Sequence, residues 1–441
     1  MTDRELEGRL QALYRARVPV DDVAPMALRS GLVALTRASP STTRFAGSRR
    51  VAWLAAAALL AAMAVGGGLL AGSGLLQSTS VALPSDSPTI EPSPSPSATA
   101  SPAASGHGAW TYTGSMTEPR EGHTATLLPD GRVLVAGGGI YDASSSELYD
   151  PTTHSWTATG DMIDARPRMH SATLLPDGRV LVVGGDNQNE PIASAELYDP
   201  DTGTWTATGP MSGVHGRGHT ATLLPDGRVL VAGGFRGNVQ LEVADLYDPA
   251  TDSWSATGRM SEGRVYHTAT LLPDGKVLVA GSVSSARSAE LYDPSTGAWT
   301  ATGSMANGRH DFTATLLPDG TVLVAAYEGN NVAELYDPST GTWSSTGSPQ
   351  HVRLGTYTAT LLPYVAALAP DGTVLVVGGV PNDHRSNELY DPRTRTWTAA
   401  PDTMGLRQYH TATLLPNGTV LVAGGRGGAA SAEIYDPGAT P

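Results

Sequence analysis

Seven arginines recur along the chain: Arg120, Arg168, Arg217, Arg264, Arg309, Arg353 and Arg407. A guanidinium fork matches a carboxylate or a phosphate, so these residues are the candidate ligand-binding set, for an anion. Downstream of each comes a Glu/Asp-Leu/Ile-Tyr-Asp-Pro pattern, starting at Glu147, Glu196, Asp245, Glu290, Glu334, Glu388 and Glu433. Seven cations matched in register by seven acids look like internal ion pairing. That reading stands beside the anion-binding one.

Histidines recur as well, at His123, His170, His219, His267 and His410. A zinc site needs its ligands within ~2.1 Å of one point. One histidine per repeat spreads them over different strands, and Phe312 and Tyr357 fill the same register in repeats five and six. Packing is therefore expected, with no metal and no cofactor. The chain has no cysteine, which removes thiolate metal sites, disulfides and cysteine nucleophiles. No Ser-His-Asp spacing, zinc helix or phosphate loop occurs, so no catalytic residue is assigned. Paired carboxylates stay open among the 35 acids after residue 107.

The elements that would position these residues follow from the repeat. ATLLP begins at Ala125, Ala172, Ala221, Ala269, Ala314, Ala359 and Ala412. A tryptophan recurs at Trp110, Trp156, Trp205, Trp254, Trp299, Trp343 and Trp397. Each unit yields four short strands. HTATLL leads into a Pro-Asp-Gly turn, where proline presets φ and glycine accepts a positive φ. VLVAGG is a continuous apolar run, as in a strand buried on both faces. AELYDP and WTATG complete the unit. Four strands every 45–53 residues, seven times, is the pattern of an all-β, seven-bladed β-propeller over residues 108–441.

The apolar run, the Gly-Gly pair and the spaced Tyr and Trp resemble the kelch repeat. So does the arginine before the first strand. The resemblance covers about three-quarters of the chain. It implies a kelch-like propeller and says little about function. Within that group, galactose oxidase-like enzymes carry copper on two Tyr, two His and a Tyr–Cys crosslink, and a chain without cysteine cannot build the crosslink. The segment from Asp201 to Trp205 is similar to a sialidase Asp-box but one residue short, and reads as an ordinary turn.

The array opens with an unpartnered fourth strand, AWTYTG at 109–114, and closes with a third strand, AEIYDP at 432–437. The N-terminal strand is expected to complete blade seven, which removes the open edge. Departures fall in blade four (Gly281-Ser282 for Gly-Gly), blade five (Ala325-Ala326) and blade six. In blade six, PYVAALA at 363–369 reads as an extended first hairpin. Strand parity puts the second-to-third and fourth-to-first connections at one end. The variable loops and the arginines share that end, where binding is expected.

Ahead of the propeller, Leu6, Leu10, Leu13 and Tyr14 fall on one helical face within residues 1–50. Val51–Leu76 carries no charge across 26 residues and reads as a transmembrane signal-anchor helix. Arg37, Arg44, Arg49 and Arg50 precede it, and no basic residue follows until Arg120. The expected topology is single-pass in a bacterial cytoplasmic membrane, N-terminus inside and propeller outside. Residues 77–107, rich in Pro, Ser and Thr, read as a disordered linker. The propeller carries 19 basic against 35 acidic residues, which disfavours nucleic acid.

The expectation is a non-enzymatic, membrane-tethered extracytoplasmic module that binds a protein or a cell-surface glycan. One alternative is a transmembrane regulator whose residues 1–50 engage a cytoplasmic partner. It resembles anti-sigma regulators in layout but lacks their Cys-containing zinc motif. The other alternative is a carbohydrate-active enzyme without copper.

Overall fold

A computed structural model describes residues 108–439, apart from 188–189, 285–286, 326–331, 352–364, 369–371, 379–384 and 427–429, with backbone alone for 365–368. The expectations for residues 1–50, 51–76 and 77–107 lie outside the described residues. Every regular element among the described residues is a strand. No helix among them is long and apolar enough to cross a membrane.

Each repeat forms a four-stranded antiparallel sheet, and seven such sheets are present. In blade one the strands are Thr124–Leu127, Val133–Ala136, Ser146–Asp150 and Ser155–Ala158, from the innermost outward. The innermost strands abut one another in an unbroken ring from blade one through blade seven and back. The first hairpin turns on Pro-Asp-Gly. Gly131 takes φ 90°, and its amide donates to Leu128 O at 3.0 Å. Proline at the start of a type I turn followed by a left-handed glycine is the usual three-residue hairpin loop.

Ala109–Tyr112 pairs with Ala432–Asp436 in the register Trp110↔Tyr435, so the N-terminal strand closes blade seven. The core is seven apolar layers, one between each pair of adjacent blades. Side chains alternate across a strand. Val133 and Val135 therefore pack toward Leu421 and Ala423 of blade seven, while Leu134 and Ala136 pack toward Val180 and Val182 of blade two. Burial on both faces is why the second strand reads as an unbroken apolar run.

The recurrent aromatics also join blades. Trp156 sits 4.9 Å from Tyr149, centroid to centroid, and donates its indole N–H to Gly114 O of the preceding blade at 2.6 Å. Trp299 does the same to Gly258 O at 2.8 Å, and Trp110 to Pro401 O at 2.8 Å.

Two expectations need correction. In blade six the innermost strand is Val365–Leu368, paired Val365↔Val377 and Leu368↔Val374. The PYVAALA segment thus supplies the strand itself, and the ATLLP copy at Ala359 lies upstream of it. The position before the strand is Tyr364, not Tyr357. In blade five the strand Val322–Ala325 aligns with Val133–Ala136. The residues standing for Gly137-Gly138 are therefore Ala326-Tyr327 rather than Ala325-Ala326.

Candidate functional site: the variable-loop face

The connections entering blades one, two and three each pair with the loop between that blade's second and third strands, and the connection entering blade four pairs with the corresponding loop of blade three. Isolated bridges join Arg120 to Gly139, Arg168 to Asp186, Arg217 to Phe235 and Leu241 to Arg264. The two sets of variable loops thus meet at one end of the propeller.

Four of the seven predicted arginines are sealed beneath that face. Arg120, Arg264, Arg309 and Arg407 are wholly buried. They pair with Glu147 (3.0 Å), Glu290 (2.8 Å), Glu334 (2.8 Å) and Glu433 (2.5 Å). Arg120 also donates to Gly137 O at 2.9 Å and Ser145 O at 2.8 Å. Glu147 accepts from the Thr117 amide at 2.7 Å. A buried ion pair holds when its remaining donors and acceptors are satisfied, and at Arg120 they are satisfied by the two loops it ties together, whereas Arg309 Nε and Nη1 find no partner among the described residues. These four guanidinium groups are shut away from solvent, so they do not form an exposed anion-binding ring.

Blades two and three depart from the pattern. Arg166, not Arg168, is the buried partner of Glu196, at 2.8 Å. In blade three His215 takes the position, 3.1 Å from Asp245 and fully buried. In the other described blades three positions separate the clamp residue from the ring position, as in Arg120 to His123 and Arg309 to Phe312. Blades two and three have four, as in Arg166 to His170 and His215 to His219. The extra residue leaves Arg168 and Arg217 nearer the surface. Arg168 is partly exposed and makes no ion pair or side-chain hydrogen bond among the described residues. Arg217 is 21% exposed, 3.2 Å from the buried Asp186, with its guanidinium 4.9 Å from the Phe235 ring centroid. Arg353 lies outside the described residues. The spacing count could have revealed this difference from sequence, whereas His215 in an arginine position carried no such signal.

The histidines are structural. His123, His170, His219 and His267 are buried, each with Nε2 on a hydroxyl of the preceding blade: Thr411 (2.9 Å), Thr124 (3.2 Å), Ser171 (2.9 Å) and Thr220 (3.0 Å). Each ring also rests on the preceding blade's first glycine. A Cβ on Gly137 would stand 2.7 Å from His170 Cε1, so only glycine fits there. Burial drives all four down to about 3, so they stay neutral at ordinary pH. Phe312 occupies the same place against Gly281, as expected of a packing position.

Just before the ring lies a row of left-handed residues: Gly122, Met169, Gly218, Tyr266, Asp311 and Tyr409, with φ between 52° and 68°. They link round the channel mouth. The Tyr266 amide donates to Gly218 O at 2.9 Å, Asp311 to Tyr266 O at 3.0 Å, and Gly122 to Tyr409 O at 2.9 Å. Left-handed backbone costs a non-glycine residue about 1–2 kcal/mol, and such positions cluster at functional sites. Four of them, Met169, Gly218, Tyr266 and Asp311, line a cavity of about 130 Å³ together with Phe312 and others. Burial pushes the Asp311 carboxyl up to about 7, and burial also raises the Tyr266 phenol.

The outer loops of this face are apolar in places. Of nine exposed large hydrophobics among the described residues, seven sit on its connections: Ile140, Tyr141, Ile163, Val239, Val283, Met404 and Leu406. The opposite end repeats polar turns such as Asp130–Arg132, with the Arg132 side chain on its own Asp130 at 2.6 Å.

These features describe a seven-bladed propeller, and a family model described as the Kelch motif matches residues 167–212, 216–261 and 362–404. The third match begins at Leu362, near the end of the ATLLP copy that starts at Ala359, and takes in the strand at Val365. No curated protein sequence matches the chain. Among solved structures, a fungal alcohol oxidase of the AA5 family in complex with copper is similar in fold. Its TM-score is 0.60 at 18% identity, covering 76% of this chain and 79% of that one. The residues here do not fit that metal. The chain has no cysteine, the ring histidines are engaged between blades, and no group of three metal-ligating side chains converges among the described residues.

Proposed function

We propose that the protein is a tethered binding module that docks a protein partner on its variable-loop face. Kelch motifs support a protein-binding role in general. The observation that carries this reading is the gathering of seven exposed hydrophobics on the loops of one face, above a rigid closed ring. Exposed apolar residues grouped on one surface mark interaction sites, and loops held by a rigid scaffold are where binding is placed. In this reading Val51–Leu76 anchors the chain in the cytoplasmic membrane with residues 1–50 inside. The linker, at ~3.1 Å per residue, reaches on the order of 90 Å from the bilayer.

The test is affinity capture on the propeller, from cell-envelope fractions, with wild type beside an Ile140→Asp, Tyr141→Asp variant. A partner held by wild type and lost by the variant supports the reading. Equal capture, or retention only by glycan resins, contradicts it. Protease accessibility of the propeller in intact cells tests the topology separately.

A further inference from the structure

We infer that the junction of blades one and two on the variable-loop face is the docking surface for a cationic amphipathic segment of a partner protein, with Ile140, Tyr141 and Ile163 as its apolar anchors. The inference rests on the docking reading above and adds the chemistry of the partner. These three side chains are 57%, 85% and 62% exposed. An aromatic ring exposed to that degree adds little to the core, whereas aromatic anchors carry much of the energy of interfaces. Backbone bonds hold the three on one surface. Ile140 donates its amide to Pro119 O at 3.0 Å, and Tyr141 donates to Glu118 Oε1 at 2.8 Å. On the other side of the same loop Met162 donates to Ser144 O at 2.8 Å, and Arg166 to Ala143 O at 2.9 Å. The loop is fixed before a partner arrives, so little ordering is lost on binding.

Charge selects the occupant. The three segments joined here, residues 114–123, 137–147 and 159–169, hold six acids and three arginines. Arg120 and Arg166 are buried and spent on Glu147 and Glu196. Asp164 lies 3.9 Å from Arg166, whose charge Glu196 already balances at 2.8 Å. What remains in these segments is Glu118, Glu121, Asp142, Asp161 and Asp164 against the partly exposed Arg168. Across the face the pattern changes sign, where the exposed Val239 pairs in register with the exposed Arg236. A net charge of −14 works against a second copy of this chain as the occupant. Lysine or arginine flanking apolar side chains complements the surface, and such complementarity speeds association and selects among partners.

Panning a random peptide display library on the full chain tests this, with the Ile140→Asp, Tyr141→Asp variant as counter-selection. Peptides held by wild type and not by the variant should be rich in Lys or Arg together with Leu, Phe or Trp. A selected peptide, titrated by fluorescence anisotropy, should bind about threefold to tenfold more weakly to an Asp142→Asn, Asp161→Asn double variant. Asp201→Asn, on an exposed turn at the opposite end, should leave binding unchanged. Added salt should weaken wild-type binding as well. Melting temperatures equal to wild type confirm that loss of binding is not loss of fold. Patch-dependent peptides that are acidic or uncharged, or equal binding by wild type and the double Asn variant, overturn the inference and leave the docking reading standing. No patch-dependent peptide at all overturns both.

Discussion

The two ends of the propeller are closed by the same strands but written in different ways. At one end each first hairpin turns on Pro-Asp-Gly or Pro-Asn-Gly. Charges there are satisfied locally, as where Arg179 sits 2.7 Å from Asp177. At the other end the loops vary in length and sequence, exposed hydrophobics collect, and left-handed residues ring the channel. Beneath that variable end the clamp of buried arginine and glutamate repeats. The difference teaches that repetition marks scaffold here, and that a repeated residue near the binding face can still belong to the scaffold.

The largest expected effect lies in the clamp. Arg264→Ala leaves Glu290 buried without its partner and should cost about 3–5 kcal/mol in chemical denaturation. A loss under about 1 kcal/mol would mean that the pair is not the tie between loops and sheet.

Next comes acid. The four buried histidines titrate near 3 in the folded chain and near 6.5 unfolded, so the unfolded state binds more protons between those values. Stability is full above about pH 6.5 and falls as the pH drops toward 3, by up to about 1.4 kcal/mol per pH unit for each histidine. His170→Phe, imitating Phe312, should flatten this slope in urea midpoints measured from pH 7 to 5. An unchanged slope would assign acid sensitivity elsewhere.

A smaller loss is expected at the repeated end. Gly227 takes φ 88° with only Pro176 Cγ near a Cβ, at 3.6 Å. Gly227→Ala should therefore cost about 1 kcal/mol through the backbone alone. The smallest effect on stability is expected from Ile140→Asp, within about 0.5 kcal/mol, while partner capture is lost.

Much of this was legible in the sequence because the repeat encodes interblade contacts. The seven blades, their closure by Trp110 and Tyr435, and the common end of the variable loops all follow from strand parity and pattern. The blade-six frame was misread because the ATLLP copy at Ala359 matches the repeat in wording, whereas register is set by distance to the turn at Gly372. The arginine set was misread for a related reason. Arg168 and Arg217 stand two residues before the ring position, where the other described blades set the clamp three before it, and blade three builds its clamp from His215. The left-handed row before the ring position includes Met169, Tyr266 and Tyr409, types with no preference for that backbone, so composition gave no sign of it.

Arg166 and Arg168 stand two residues apart on one connection, and the urea midpoints of Arg166→Gln and Arg168→Gln test the division between scaffold and site most directly. The expected result is a loss of several kcal/mol for Arg166→Gln and wild-type stability for Arg168→Gln. Equal losses in both, or a stable Arg166→Gln, would contradict it.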